Sequence, residues 1–163
     1  MKIIKTTILT IFLLLGQISL FAQNIQNIEI PRAFLVGEYE KAYSEIMKSY
    51  PASLINASKD SVDLAYINWM YLLNDIENFS KNIDFDIRGI KIWINVFWNK
   101  SGKIDFITYY PKPNSKNMEF DKLTAFFSEF VKNYKPRIKY SENFSHFGSA
   151  KFPSFAERFI QNE

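Results

Sequence analysis

Residues 90–110 read IKIWINVFWNKSGKIDFITYY, and this stretch decides the fold. Ile90, Ile92, Ile94, Val96 and Trp98 alternate with Lys91, Trp93, Asn95 and Phe97. That period of two sends successive side chains to opposite faces of a strand. Asn99-Lys100-Ser101-Gly102 then supplies a turn, with Gly102 suited to the left-handed position, and alternation resumes from Lys103 to Tyr110. The reading is a β-hairpin, ended by Pro111 and Pro113. On this parity Trp98 and Phe106 join the isoleucines toward the core. Trp93, Phe97 and Tyr109 fall together on the opposite face, beside Lys91, Asn95 and Ile107.

Downstream of the hairpin, Asn117 is placed to cap a helix whose stripe is Phe120, Leu123, Phe126, Phe127, Phe130, Val131 and Tyr134, closed by Pro136. Phe144 to Phe152 alternates less cleanly and is read as a returning strand. Ser154-Phe155-Ala156-Glu157 has capping-box spacing for a short last helix. Upstream, Leu35, Tyr39, Ala42, Tyr43, Ile46 and Tyr50 recur every three or four residues, an amphipathic helix stopped by Pro51. Asp60 or Ser61 can cap a second helix to about Phe79. It carries apolar residues around most of its girth, including Leu64, Ile67 and Met70, so it is either sandwiched between layers or met by a partner.

The chain is therefore expected to be α+β: a helical pair over 33–80, then a ββαβ unit over 88–155, an antiparallel sheet with helices on one face. Residues 23–163 form one domain. With 47% hydrophobic and 17% aromatic residues among 163, the composition is that of a folded chain rather than a disordered one.

Residues 1–22, MKIIKTTILTIFLLLGQISLFA, have the parts of a cleaved secretory signal: Lys2 and Lys5, an apolar run over Ile8–Leu15, and Ala22 at the cleavage position. The apolar stretch, broken by Gln17 and Ser19, falls short of the roughly 20 residues that span a bilayer. A periplasmic or secreted protein with no integral membrane segment is the expectation. Removing Lys2 and Lys5 with the leader leaves 18 basic against 17 acidic residues. Such a near-neutral chain has no global field for nucleic acid. Cysteine is absent and His146 is the single histidine, which excludes thiol chemistry, a lipid anchor on cysteine and metal sites built on several imidazoles. No cofactor is implied.

From Ile90 to Phe155 the order strand, glycine turn, strand, helix, Tyr-Lys-Pro, strand resembles the C-terminal domain of TonB energy transducers. The blocks concerned are IKIWINVFWNKSGKIDFITYY, FDKLTAFFSEFVKNYKP and FSHFGSAKF. The resemblance implies a fold and not energy transduction, because the long proline-rich spacer is missing and the leader reads as cleavable. The leader ending LFAQ, with WINVFWNKSG, KPNSKN and FSHFGSAKFPSF, also resembles small secreted proteins of Bacteroidota-type bacteria. That family implies an envelope location and no assigned activity. Asp60-Ser61-Val62 resembles the short O-glycosylation acceptor of such envelopes, in competition with a capping role.

Three surfaces carry candidate functions. Trp93, Phe97 and Tyr109 would form an apolar patch for a partner protein or a sugar ring if no helix covers their face, and an open sheet edge would pair with an extended peptide. The loop Lys112, Pro113, Asn114, Ser115, Lys116 and Asn117 runs into a helix N-terminus and would hold a small anion. Its bland alternative is that Ser115 or Asn117 caps the helix while the lysines point into water. Ser145 or Ser149 beside His146 and the pair Asp84/Asp86 offer only weak hydrolytic or metal signals, since neighbours along a strand face opposite ways and no nucleophile elbow is present. The first expectation is thus a non-enzymatic module binding an envelope protein or extended peptide. The alternative is a binder of glycan or small anions through the same aromatics with Lys112, Asn114 and Lys116, and the third is a hydrolase.

Overall fold

The computed structural model describes residues 30–160; the leader and the cleavage site lie outside them. The protein is mixed α and β. In chain order the elements are β1 (Ala33–Leu35), α1 (Glu40–Ser49), β2 (Ala52–Ser53), α2 (Leu54–Ala57), α3 (Val62–Asn82), β3 (Lys91–Trp98), β4 (Ile104–Pro111), α4 (Phe120–Asn133), β5 (Phe144–Lys151) and α5 (Ala156–Ile160). The five strands lie in the order β1-β4-β3-β5-β2. β3 is central and antiparallel to β4 and β5, whereas the short edge strands β1 and β2 run parallel to their neighbours. The sheet is therefore mixed rather than antiparallel throughout.

The hairpin turn forms because Asn99 does most of its hydrogen bonding. Its Oδ1 accepts from the Ser101 amide (3.0 Å) and the Ser101 hydroxyl (2.6 Å). Gly102 stands at φ +79°, and a Cβ there would come within 1.7 Å of the Ile138 carbonyl oxygen. Beyond the turn β4 does not keep the simple parity. Trp98 pairs with Ile104 but Phe97 pairs with Phe106, so Asp105 is an extra residue in β4. Such a bulge turns every later side chain to the other face. The expected alliance of Phe106 with the core and of Tyr109 and Ile107 with the opposite face is corrected: Ile107 and Tyr109 are core, and Phe106 faces away. Asp105 is held by Tyr50, whose hydroxyl donates to Oδ2 (2.8 Å), and by the Asn99 side-chain amide on Oδ1 (2.8 Å). Burial beside this carboxylate raises the Tyr50 pKa, so the hydroxyl stays a donor.

One face of the sheet carries the main core. Trp69, Leu72, Leu73 and Ile76 of α3 and Leu123, Phe126, Phe127 and Phe130 of α4 pack with Ile92, Ile94 and Val96. Ser61 caps α3, its Oγ accepting from the Leu64 amide (3.2 Å). Leu64 and Tyr66 of α3 remain exposed, so α3 forms an outer layer and is not sandwiched.

The opposite face holds a smaller cluster, in which Ile46 of α1 and Tyr50 at its C-cap cover Phe34 and Phe97. Helices thus lie on both faces, not one, and the first helix begins later than its periodicity suggests. Leu35 belongs to β1, and Gly37 at φ +106° separates it from α1. The three-to-four spacing of Leu35 and Tyr39 mimics a helix across a turn that only glycine takes easily. Two further corrections concern caps. α4 starts at Phe120 with Glu119 as its N-cap residue, two residues beyond the start that an Asn117 cap implies. Ser154 accepts from the Ala156 amide, but the carboxylate taking the Ser154 amide belongs to Glu77 rather than Glu157. Among the described residues no helix is long and apolar enough to cross a membrane.

Candidate functional site

The face carrying α1 is covered over only part of its area. Across the strands its side chains stand in rows: Phe106, Phe97 and Ser145; then Thr108, Asn95 and Phe147; then Tyr110, Trp93 and Ser149. The first row lies under α1, where Phe97 is fully buried and meets the rings of Tyr50 (5.2 Å between centroids) and Tyr43 (6.4 Å). The third row is open. Trp93 is 42% exposed, Tyr110 54% and Phe147 63%. Trp93 stacks against Phe147, with centroids 5.8 Å apart and planes 18° from parallel. Lys112 Nζ sits 3.7 Å from the Trp93 centroid and donates to Ser149 Oγ. An ammonium over an indole face is attracted by the ring quadrupole, which holds Lys112 on the patch.

The middle row marks the boundary. The Asn95 side-chain amide donates to the Tyr43 hydroxyl and lies against Met47 Sδ, each at 3.4 Å. Asn95 Oδ1 and Thr108 Oγ1 are buried with no partner among the described residues. The two residues are cross-strand neighbours, so the boundary of the covered area is a polar defect.

The predicted site residues therefore separate. Trp93 and Lys112 meet in the open patch, together with Phe147 and Tyr110. Phe97 lies on the same face but beneath α1. Tyr109 is on the other face, fully buried against Phe127, its hydroxyl donating to the Phe120 carbonyl (3.0 Å) and meeting Thr124 Oγ1 (2.7 Å). Burial raises its pKa. The loop residues do not converge on one ligand. Ser115 Oγ accepts from the Lys91 amide (2.9 Å) and caps no helix. Lys116 Nζ pairs with Asp86 (3.1 Å), Asn114 takes a left-handed φ of +63°, and Asn117 is exposed. The two lysines of this loop are engaged in different directions, Lys116 toward Asp86 and Lys112 toward Trp93 and Ser149.

The remaining signals resolve into structural roles. Asp86 is held far below the usual carboxylate range by hydrogen bonds from Arg88 and then from Lys116. His146 faces Trp69 on the core side, with centroids 4.7 Å apart, and burial lowers its pKa. Ser145 and Ser149 project to the opposite face, so the geometry assembles no nucleophile–base pair there. No group of three or more metal-ligating side chains occurs among the described residues.

Beside the open patch runs an open edge. The Phe152 amide donates to the Ile90 carbonyl (2.9 Å). By antiparallel alternation, Ala150, Gly148 and His146 then turn their backbone groups toward β3, while Lys151, Ser149 and Phe147 turn theirs outward. β2 reaches only Phe144 and Ser145. Among the described residues nothing on the backbone bonds the outward groups of Phe147, Ser149 and Lys151. Sequence reasoning missed Phe147 and Tyr110. The alternation Phe144-Ser145-His146-Phe147 is too irregular to assign a face, and the bulge at Asp105 reverses the parity of Tyr110. A scan against protein-family models and comparisons with curated proteins and with solved structures find no match.

Proposed function

We propose that this protein is an envelope interaction module whose partner contributes an extended segment, added as a strand beside Phe147–Lys151 of β5. The observation that carries this reading is the run of outward N–H and C=O groups at Phe147, Ser149 and Lys151, next to the exposed rings of Phe147 and Trp93. Unpaired backbone on an edge is a template for another chain, and pockets or rings beside it give selectivity. The free edge spans five residues, about 17 Å, enough for a short strand. The leader argues for a periplasmic or secreted setting.

Proline at position 149 tests the reading. The Ser149 N–H points away from β3, so Ser149→Pro blocks the edge while sparing the ladder to the central strand. The full chain, tagged and expressed in its own host, is cross-linked and captured. Wild type should retain a discrete envelope protein that Ser149→Pro loses, with the unfolding midpoint of the variant little changed. Equal retention by both chains rejects edge addition.

A further inference from the structure

Building on that edge-addition reading, we propose that the segment received by β5 is acidic: it places an apolar side chain opposite Phe147 and carboxylates opposite Ser149 and Lys151. An added strand lies about 4.8 Å from β5, and residues opposite Phe147, Ser149 and Lys151 send their side chains to the face those residues occupy. That face is the open aromatic one, and three ammonium groups gather on it. Lys91 and Lys151 are direct cross-strand neighbours, an arrangement in which like charges repel. Lys112 reaches the same place from the end of β4, over Trp93 and onto Ser149.

None of these three lysines has a carboxylate partner among the described residues. Other cations on the surface are paired, Lys48 with Glu45, Lys81 with Glu157, Lys116 and Arg88 with Asp86, and Arg137 with Asp75. What sets Lys91, Lys112 and Lys151 apart is that they are neighbours at one end of one sheet face, beside the open edge. A carboxylate opposite Ser149 would stand beside the Lys112 ammonium. One opposite Lys151 would relieve the Lys91–Lys151 repulsion. Phe147, more exposed than the other two rings, receives the apolar side chain. The charges are then two residues apart, the spacing of a strand and not of a helix.

The probes are capped hexapeptides, Thr-Val-Thr-Glu-Thr-Glu and its reversed order, each also made with Gln or Lys in place of Glu. Trp93 is the exposed tryptophan, Trp69 and Trp98 being buried, so indole fluorescence of the full chain reports binding. One of the two Glu peptides should bind about tenfold tighter than its Gln form at low salt, and the Lys forms weakest. The advantage should shrink at high salt and in Lys112→Gln/Lys151→Gln. Equal affinities of Glu and Gln forms, both abolished by N-methylating the peptide amides, overturn the acidic preference and leave edge addition standing. Binding indifferent to N-methylation, or absent for every peptide, overturns both. Salt-sensitive binding of a uronic-acid oligosaccharide with no peptide binding would assign the face to a glycan instead.

Discussion

Trp93 and Phe97 lie four residues apart on β3, on the same face, and both are large aromatics. In the sequence they are equivalent, yet in the fold one lines an open patch and the other is sealed. Length is the cause. An eight-residue strand extends about 27 Å, whereas the ten residues of α1 make a helix of about 15 Å. A helix that short covers one part of the face and leaves the rest. The same alternation therefore builds a hydrophobic core at one end and a binding surface at the other, and the boundary falls on the row of Asn95 and Thr108.

Truncating each ring in turn is the sharpest way to break this comparison. Phe97→Ala removes a fully buried ring that Tyr43 and Tyr50 enclose, and should destabilise the fold by about 3–5 kcal/mol. Trp93→Ala gives up a half-exposed ring, its stack on the exposed Phe147 and one ammonium contact, and should cost about 1 kcal/mol. Urea unfolding of the two variants measures both. Similar losses would mean that the open end is also packed in solution, and partner binding there would lose its surface.

The reading of β3 from sequence was complete because its alternation is unbroken and its turn is built by Asn99 and Gly102. The same approach failed on β4 for one physical reason: parity counted across a turn assumes no bulge, and Asp105 is one. Its stabilising partner, the Tyr50 hydroxyl, lies 55 positions away, so nothing local in the sequence announces it. Leu35 keeps the period of the helix although it lies in β1, because the left-handed turn at Gly37 preserves the three-to-four spacing across the break. In the sequence, the loop from Lys112 to Asn117 has the pattern of an anion cradle, with lysines ahead of a helix. Where each ammonium goes depends on Asp86 and Trp93, which only the tertiary fold brings near. Of the open patch, Trp93 and Lys112 could be read from the chain, while Phe147 and Tyr110 required the register.

The boundary row sharpens the comparison in the opposite direction. Asn95 Oδ1 and Thr108 Oγ1 are buried without partners among the described residues, and leaving such a group unpaired costs about 1–3 kcal/mol. Thr108→Val keeps the shape and removes the unpaired oxygen, so it should be neutral or stabilising by about 1 kcal/mol, unlike most core changes. A rise or no change in the urea midpoint is expected. Clear destabilisation would mean that the hydroxyl is bonded in solution, by water or by a bound molecule entering from the open side.

The smallest expected effect compares the two faces of β5. His146 looks inward to Trp69, while Ser145 and Phe147 on either side of it look outward. Burial alone lowers the His146 pKa in the fold, because desolvation disfavours the imidazolium. The folded chain then binds fewer protons than the unfolded one at this position, so the linked stability is fully present above the unfolded value near 6.5. It is lost as pH falls through the lowered folded value. Carboxylates elsewhere also titrate on acidification, so the informative quantity is a difference between two chains. Between pH 7.5 and 5 the wild type should lose more stability than His146→Gln, measured by urea midpoints in the same buffers. Parallel losses would mean that the imidazole is open to water on the edge of β5, and the core face would then be no better sealed there than the face that Trp93 shares with solvent.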